Sequence, residues 1–129
     1  MLTIEIEGLD QLEEELRSLG SSVSDTLEDA VLAGGMIIQE QAEANAPYVS
    51  GNLKGSIGTW VTTKEKSRVE GEVGSRNCEY ARIQEYGGVT GRGGKTRITG
   101  KFYMTRAAEE KQTEAENQMV EVITQGFNR

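Results

Sequence analysis

Histidine is absent from this sequence, and cysteine and proline occur once each, as Cys78 and Pro47. Without histidine, the commonest general base and metal-binding side chain is missing. Cys78 has no imidazole to draw off its proton, so a thiol-nucleophile site is disfavoured and a buried or idle cysteine is the better reading. A zinc site lacks both the histidines and the second thiol it needs. One thiol cannot close an internal disulfide, which fits a reducing compartment. Aromatics are few, at two Phe, one Trp and four Tyr. A core built instead from Leu, Ile, Val and Ala points to a thin fold that leans on partners. There is no run of about 18 apolar residues, so no membrane span is expected. The opening Met1–Glu7 segment has neither a basic nor an apolar signal region, so no signal peptide is expected there.

What the chain does have is charge, unevenly placed. Residues 1–46 hold 11 acids and one base, residues 47–101 hold 5 acids and 10 bases, and residues 102–129 hold 5 acids and 3 bases, which sums to the net −7. An acidic chain of this kind is not a general nucleic-acid binder, because phosphate affinity comes from concentrated Lys and Arg. Its basic centre suits acidic surfaces, including those of other copies of the same chain. At 129 residues the chain is long enough for one modest core, so 1–129 is read as a single domain.

Along the chain, Leu2, Ile4 and Ile6 alternate with polar residues, the signature of a strand with one apolar face. Leu9, Leu12, Leu16 and Leu19 recur at helical spacing, with Asp10 and Glu13–Glu15 placed toward the N-terminal turns and Gly20 as a stop. Ser22 or Ser24 can cap a longer helix whose apolar stripe runs from Val23 through Leu27, Val31 and Ile38 to Ala46. Gly34-Gly35 in its middle costs about 1 kcal/mol per glycine relative to alanine, which implies a bend or a close approach by another element. Pro47 ends this helix. Ile57–Thr63 and Arg68–Gly74 read as a β-hairpin around a polar turn, with Gly71 and Gly74 allowing a bulge or a close neighbour. Tyr80–Tyr86 is ambiguous between strand and helical turn. The stretch 87–101 has six glycines, four bases and no acid, and reads as a long flexible loop. A last helix follows, with Met104, Ala107, Ala108, Ala115, Met119, Val122 and Ile123 on one face. The fold class expected is α+β, a small antiparallel sheet packed against the long helix and the C-terminal helix.

Chemical motifs fare poorly. Gly91-Arg92-Gly93-Gly94-Lys95-Thr96 invites a phosphate-loop reading, but Val89 stands where that motif needs its first glycine. The acid pairs Glu79/Glu85 and Glu70/Glu72 could be drawn as acid–base couples or a magnesium site, yet with 21 acids chance pairs are plentiful. No catalytic residue, metal site or cofactor is therefore expected. The basic loop fits an acidic protein surface better than DNA, since charges on a glycine tether have no fixed base-reading geometry.

Set in order, several pieces resemble a known family. Ala46-Pro47 followed by Ser50-Gly51-Asn52-Leu53-Lys54-x-Ser56-Ile57, then a hairpin, then Tyr80-Ala81-x-x-x-Glu85-Tyr86-Gly87, a glycine-rich loop and a helix opening at Phe102 are similar to the neck and tail-completion (head–tail joining) minor structural proteins of long-tailed double-stranded DNA phages and prophages. Gly8-Leu9-Asp10-Gln11-Leu12 fits as well. Two positions depart from the family's habit: Gly88 where many members have threonine, and Lys101 where many have proline before the Phe.

The resemblance implies a non-enzymatic structural subunit of the virion, a tail-completion or terminator-like ring at the head–tail junction or tail top, assembled in the host bacterial cytoplasm. Its partners would be further copies of itself, neck or connector proteins, and the tail-tube or tail-terminator protein. A ring of about six copies would present a summed acidic wall that repels DNA phosphates, so DNA would pass without specific binding. Lys54, Arg92, Lys95, Arg97 and Lys101 are the expected subunit contacts, and Pro47, Gly51, Leu53, Ser56, Ile57, Tyr80, Ala81, Glu85, Tyr86 and Gly87 the structural motif. The competing readings are a DNA-binding accessory protein using the basic loop and a metal-dependent nuclease or toxin-like enzyme.

Overall fold

Long apolar stripes and alternating runs settle into an α+β structure. The computed structural model describes residues 2–6, 23–47, 52–76, 78, 81–90 and 96–127. Within these, strand β1 (Leu2–Ile6) precedes helix α1 (Val23–Asn45), a short helix α2 (Asn52–Ser56), strands β2 (Ile57–Lys64) and β3 (Val69–Ser75), helix α3 (Ala81–Tyr86), strands β4 (Gly87–Thr90) and β5 (Thr96–Thr99), and helix α4 (Tyr103–Phe127). The expected Leu9–Leu19 helix lies outside the described residues.

β1, β3 and β2 form an antiparallel sheet in that order, with Leu2 opposite Val73 and Ile6 opposite Val69 on one side, and Ile57 opposite Ser75 on the other. Because side chains alternate across a sheet, this register puts Ile4, Ile57, Val69 and Val73 together on the buried face. The other face carries Trp60, with the Arg76 guanidinium 3.5 Å from its ring centroid. A register shift falls between Val61 and Thr63 of β2, opposite Gly71 and Glu70 of β3. Gly71 also serves the second expected purpose: Val31 of α1 and the Trp60 carbonyl fill the space a side chain there would need.

α1 is buried on two sides, which explains its small residues. A side chain at Gly35 would meet Thr59 and Val73 of the sheet, while one at Gly34 would meet Met119 of α4. The glycine pair thus marks a close approach on both flanks. α4 runs antiparallel to α1, with Asn45 Nδ2 donating to the Tyr103 carbonyl (3.3 Å) at one end and Gly126 seated against Thr26 at the other. The layers are sheet, α1, α4. Ala107 and Ala115 are buried, and Met119 and Ile123 pack against the same core, as the stripe predicts. α1 begins at Val23, so Ser24 falls inside its first turn and is not its cap; Ser22 lies outside the described residues. Beyond this turn, Lys64 Nζ lies 2.6 Å from Asp25 and 3.5 Å from Glu28, tying the end of β2 to α1.

Two expectations for residues 80–101 are resolved differently. Residues 81–86 are helical, and the stretch read as one loop contains a two-stranded ribbon, with Gly87 opposite Thr99 and Thr90 opposite Thr96. Glycine density masked the strands because it removes the side-chain alternation that marks them. Residues 91–95, including Arg92 and Lys95, lie outside the described residues.

Candidate functional site

The corner after α1 closes on apolar anchors. The Ala46 N–H donates to the Ala42 carbonyl (2.8 Å), and Pro47 follows. Leu53 is completely buried and Ile57 nearly so, one helical turn apart. Ser56 donates from its hydroxyl to the Leu53 carbonyl (2.6 Å), hydrogen-bonds the Ser75 hydroxyl, and accepts from the Arg76 N–H at its own carbonyl (3.1 Å). Ser56 therefore sews α2 to the end of β3. Lys54 is exposed. Gly51 lies outside the described residues.

The second marker stretch closes by a different means. Phe102 occupies the N-cap position of α4 with φ 50°, yet its side chain has no oxygen to accept from the first free amides. Glu85, from α3, supplies that acceptor. Its two carboxylate oxygens take the Met104 N–H (2.8 Å) and the Thr105 N–H (3.0 Å), the amides that an N-cap side chain would serve. The negative charge also meets the positive end of the α4 dipole. Backbone bonds seal the same joint, from Lys101 N–H to the Gln84 carbonyl (2.8 Å) and from Phe102 N–H to the Glu85 carbonyl (3.0 Å). Glu85 is 5 % exposed, so its desolvation is offset by two charge-assisted bonds.

Tyr103 completes the joint, its hydroxyl donating to the Ala81 carbonyl (3.2 Å). Burial, and secondarily the nearby Glu85 charge, push this phenol up to about 12. The glycines here are steric requirements. Gly87 has φ 81°, and a side chain on it would strike the Gly100 and Ile98 backbone. The two departures from the family's habit have local reasons. Gly88 sits at φ 150°, a conformation that side-chain-bearing residues rarely adopt, and Lys101 uses an N–H that proline lacks.

Around the joint the surface is partly apolar. Tyr86 and Phe102 meet edge to face, with ring centroids 6.4 Å apart and planes at 84°, although both are exposed. Arg97 and Lys101 are exposed beside them on the ribbon and its exit. A cleft of about 550 Å³ runs from Leu2 and Gly74 at one end of the sheet past Cys78 and Arg82 to Tyr86 and Ala108. Cys78 is free and half-buried against the core.

Glu85 and Glu70, members of the carboxylate pairs drawn from sequence, have other partners. Glu85 is consumed by amides, Glu79 lies outside the described residues, and Glu70 pairs with Arg68. Among the described residues no group of three or more His, Cys, Asp or Glu could hold a metal ion, and no helix is long and apolar enough to cross a membrane. Sequence reasoning missed Phe102 and Val89 as parts of this surface and Tyr103 as the buried residue beneath it. A weak signal existed in the adjacent aromatics at 102–103, but their opposite fates, one outward and one inward, depend on the positive φ of Phe102. Tyr80 lies outside the described residues.

The site thus combines a buried acid that caps a helix with an exposed aromatic pair and the exposed Arg97 and Lys101. The chain belongs to the HK97-gp10-like family, described as "Bacteriophage HK97-gp10, putative tail-component", which matches residues 10–87, more than half its length. It is thus a bacteriophage protein of the tail-component class. No curated protein and no solved structure matches the chain.

Proposed function

We propose that this protein is a non-enzymatic structural subunit at the phage head–tail junction or tail top, a tail-completion or terminator-like component that joins the neck to the tail tube around the DNA channel. Family membership over residues 10–87 is the observation that carries this reading. The use of Glu85 as a helix cap supports it, because the one buried acid of the marker motif is not free for proton transfer. In this reading the subunit forms a ring, and Lys54, Arg92, Lys95, Arg97 and Lys101 contact neighbouring subunits. The excess of acids before Pro47 would keep the channel side repulsive to DNA.

The test is deletion of the gene from the phage or prophage that encodes it, followed by electron microscopy of the lysate. Filled heads and separate tails are expected, with joining restored by the chain supplied in trans. Normal virions from the deletion strain would overturn the proposal.

A further inference from the structure

Two exposed surfaces in different parts of this chain complement one another. The first surrounds the joint. The β4–β5 ribbon brings Gly88 close to Ile83 of α3 and leaves Val89 and Arg97, paired in register, exposed. Val89 is 57 % exposed, Tyr86 58 % and Phe102 45 %, a large apolar outlay for a small chain. Arg97 and Lys101, both exposed, belong to the same segment, and the sequence 87–101 contains no acid.

The second surface is the outer side of α4. Glu109, Glu116 and Val120 fall in one row along the helix, and Glu110, Glu114 and Glu121 in a second row about 120° further round it. All six are exposed, Val120 by 62 %. Lys111 lies 3.5 Å from Glu114, Gln112 and Gln125 donate to Glu116 and Glu121 (3.2 Å each), and Arg106, the exposed base on this face, donates to the Lys101 carbonyl (2.9 Å), so the carboxylates outnumber the bases. The stripe is therefore acidic, with an apolar residue in it, as the first surface is basic with apolar residues in it.

Glu109 lines the same cleft as Tyr86, but the far end of the stripe is out of reach within one molecule. Phe102 and Val120 are separated by about 27 Å along the helix, at roughly 1.5 Å per residue. We infer that the Tyr86–Phe102 pair and basic ribbon of one copy dock on the acidic outer face of α4 in a second copy. DNA would accept the basic surface but would be repelled by the stripe, whereas a second copy answers both charge and apolar content. Aromatic side chains flanked by Arg are also the residue types that anchor protein interfaces. Because different surfaces meet, the contact is head to tail and propagates into a closed ring or an open filament. This inference rests on the structural-subunit reading and names the faces such a subunit would use.

Sedimentation velocity on the full chain tests it. Wild type is expected to self-associate with rising concentration and to dissociate as salt is raised. Tyr86→Ala, Arg97→Glu/Lys101→Glu and Glu110→Lys/Glu114→Lys should each weaken self-association about tenfold or more. Mixing the two charge-reversed variants in equal amounts should restore assembly, because each then presents the sign the other needs. Arg97→Gln/Lys101→Gln serves if the reversed ribbon disturbs folding, with circular dichroism and urea midpoints as controls. A wild type that stays monomeric at all concentrations, assembly indifferent to the variants, or failure of the mixture to assemble would overturn the inference. A monomeric wild type together with unjoined heads in the deletion strain would sink this interface and leave the proposed function standing. Assembly through this interface together with normal virions from the deletion strain would do the reverse.

Discussion

The two marker stretches, 46–58 and 80–87, look alike in sequence, each a short run with glycine near its end, and they are built on opposite principles. The first buries apolar side chains, Leu53 and Ile57, and among its described residues leaves Asn52, Lys54 and Gly55 outward. The second buries a carboxylate, Glu85, and leaves an aromatic ring, Tyr86, outward. Apolar anchoring is non-directional and tolerates small shifts, whereas a carboxylate shared between two amides demands the α4 N-terminus at one place. The first stretch stabilises; the second positions. That difference explains why the exposed apolar surface gathers around the second.

The largest break in this contrast should come from Leu53→Ala. Removing a fully buried leucine is expected to cost about 2–5 kcal/mol of unfolding free energy, read from urea denaturation, with the α4 joint unaltered in the molecules that remain folded. Glu85→Ala should cost somewhat less, about 1–3 kcal/mol, since it strands the Met104 and Thr105 amides. Its diagnostic is locality: hydrogen exchange should quicken at the start of α4 and leave Leu53 protected. Uniform loss of protection would mean that Glu85 stabilises the whole core and that the contrast is false.

Tyr103→Phe sharpens the comparison through pH. The folded state holds the phenol proton more tightly than the unfolded chain, in which it titrates near 10. Wild-type stability should therefore be unaffected by this group below pH 10 and be lost as pH rises toward about 12. The variant should lack that alkaline loss in thermal melts and, at neutral pH, be weaker by about 0.5–1.5 kcal/mol for the missing bond to Ala81. Smallest of all is Lys54→Ala, an exposed side chain on the apolar corner, expected within about 0.5 kcal/mol of wild type.

Much of the framework is legible in residue order. The alternation at Leu2, Ile4 and Ile6, the stripe from Val23 to Ala46 and the Met104–Ile123 face each became the element they predict, because one buried face leaves a period that can be read. Gly34-Gly35 announced a close approach without saying by what. The answer, Met119 on one side and Thr59 with Val73 on the other, depends on residues far off in the chain. The ribbon at 87–99 was hidden for the opposite reason, since glycines erase the period even where strands pair.

For this protein the sequence alone determined the α+β class, the absence of histidine and paired cysteine, and the family to which its motifs belong. These follow from composition and local spacing, which need no contacts between distant residues. Only the tertiary structure decided what Glu85 does. As a letter it was one acid among 21 and could be drawn as a base or a metal ligand. Its role as the cap of a helix that begins at Tyr103 arises because α3 and the ribbon carry it to two free amides. The same folding turned Phe102 outward beside Tyr86, since a side chain's direction is set by backbone torsion and neighbours that no local pattern records.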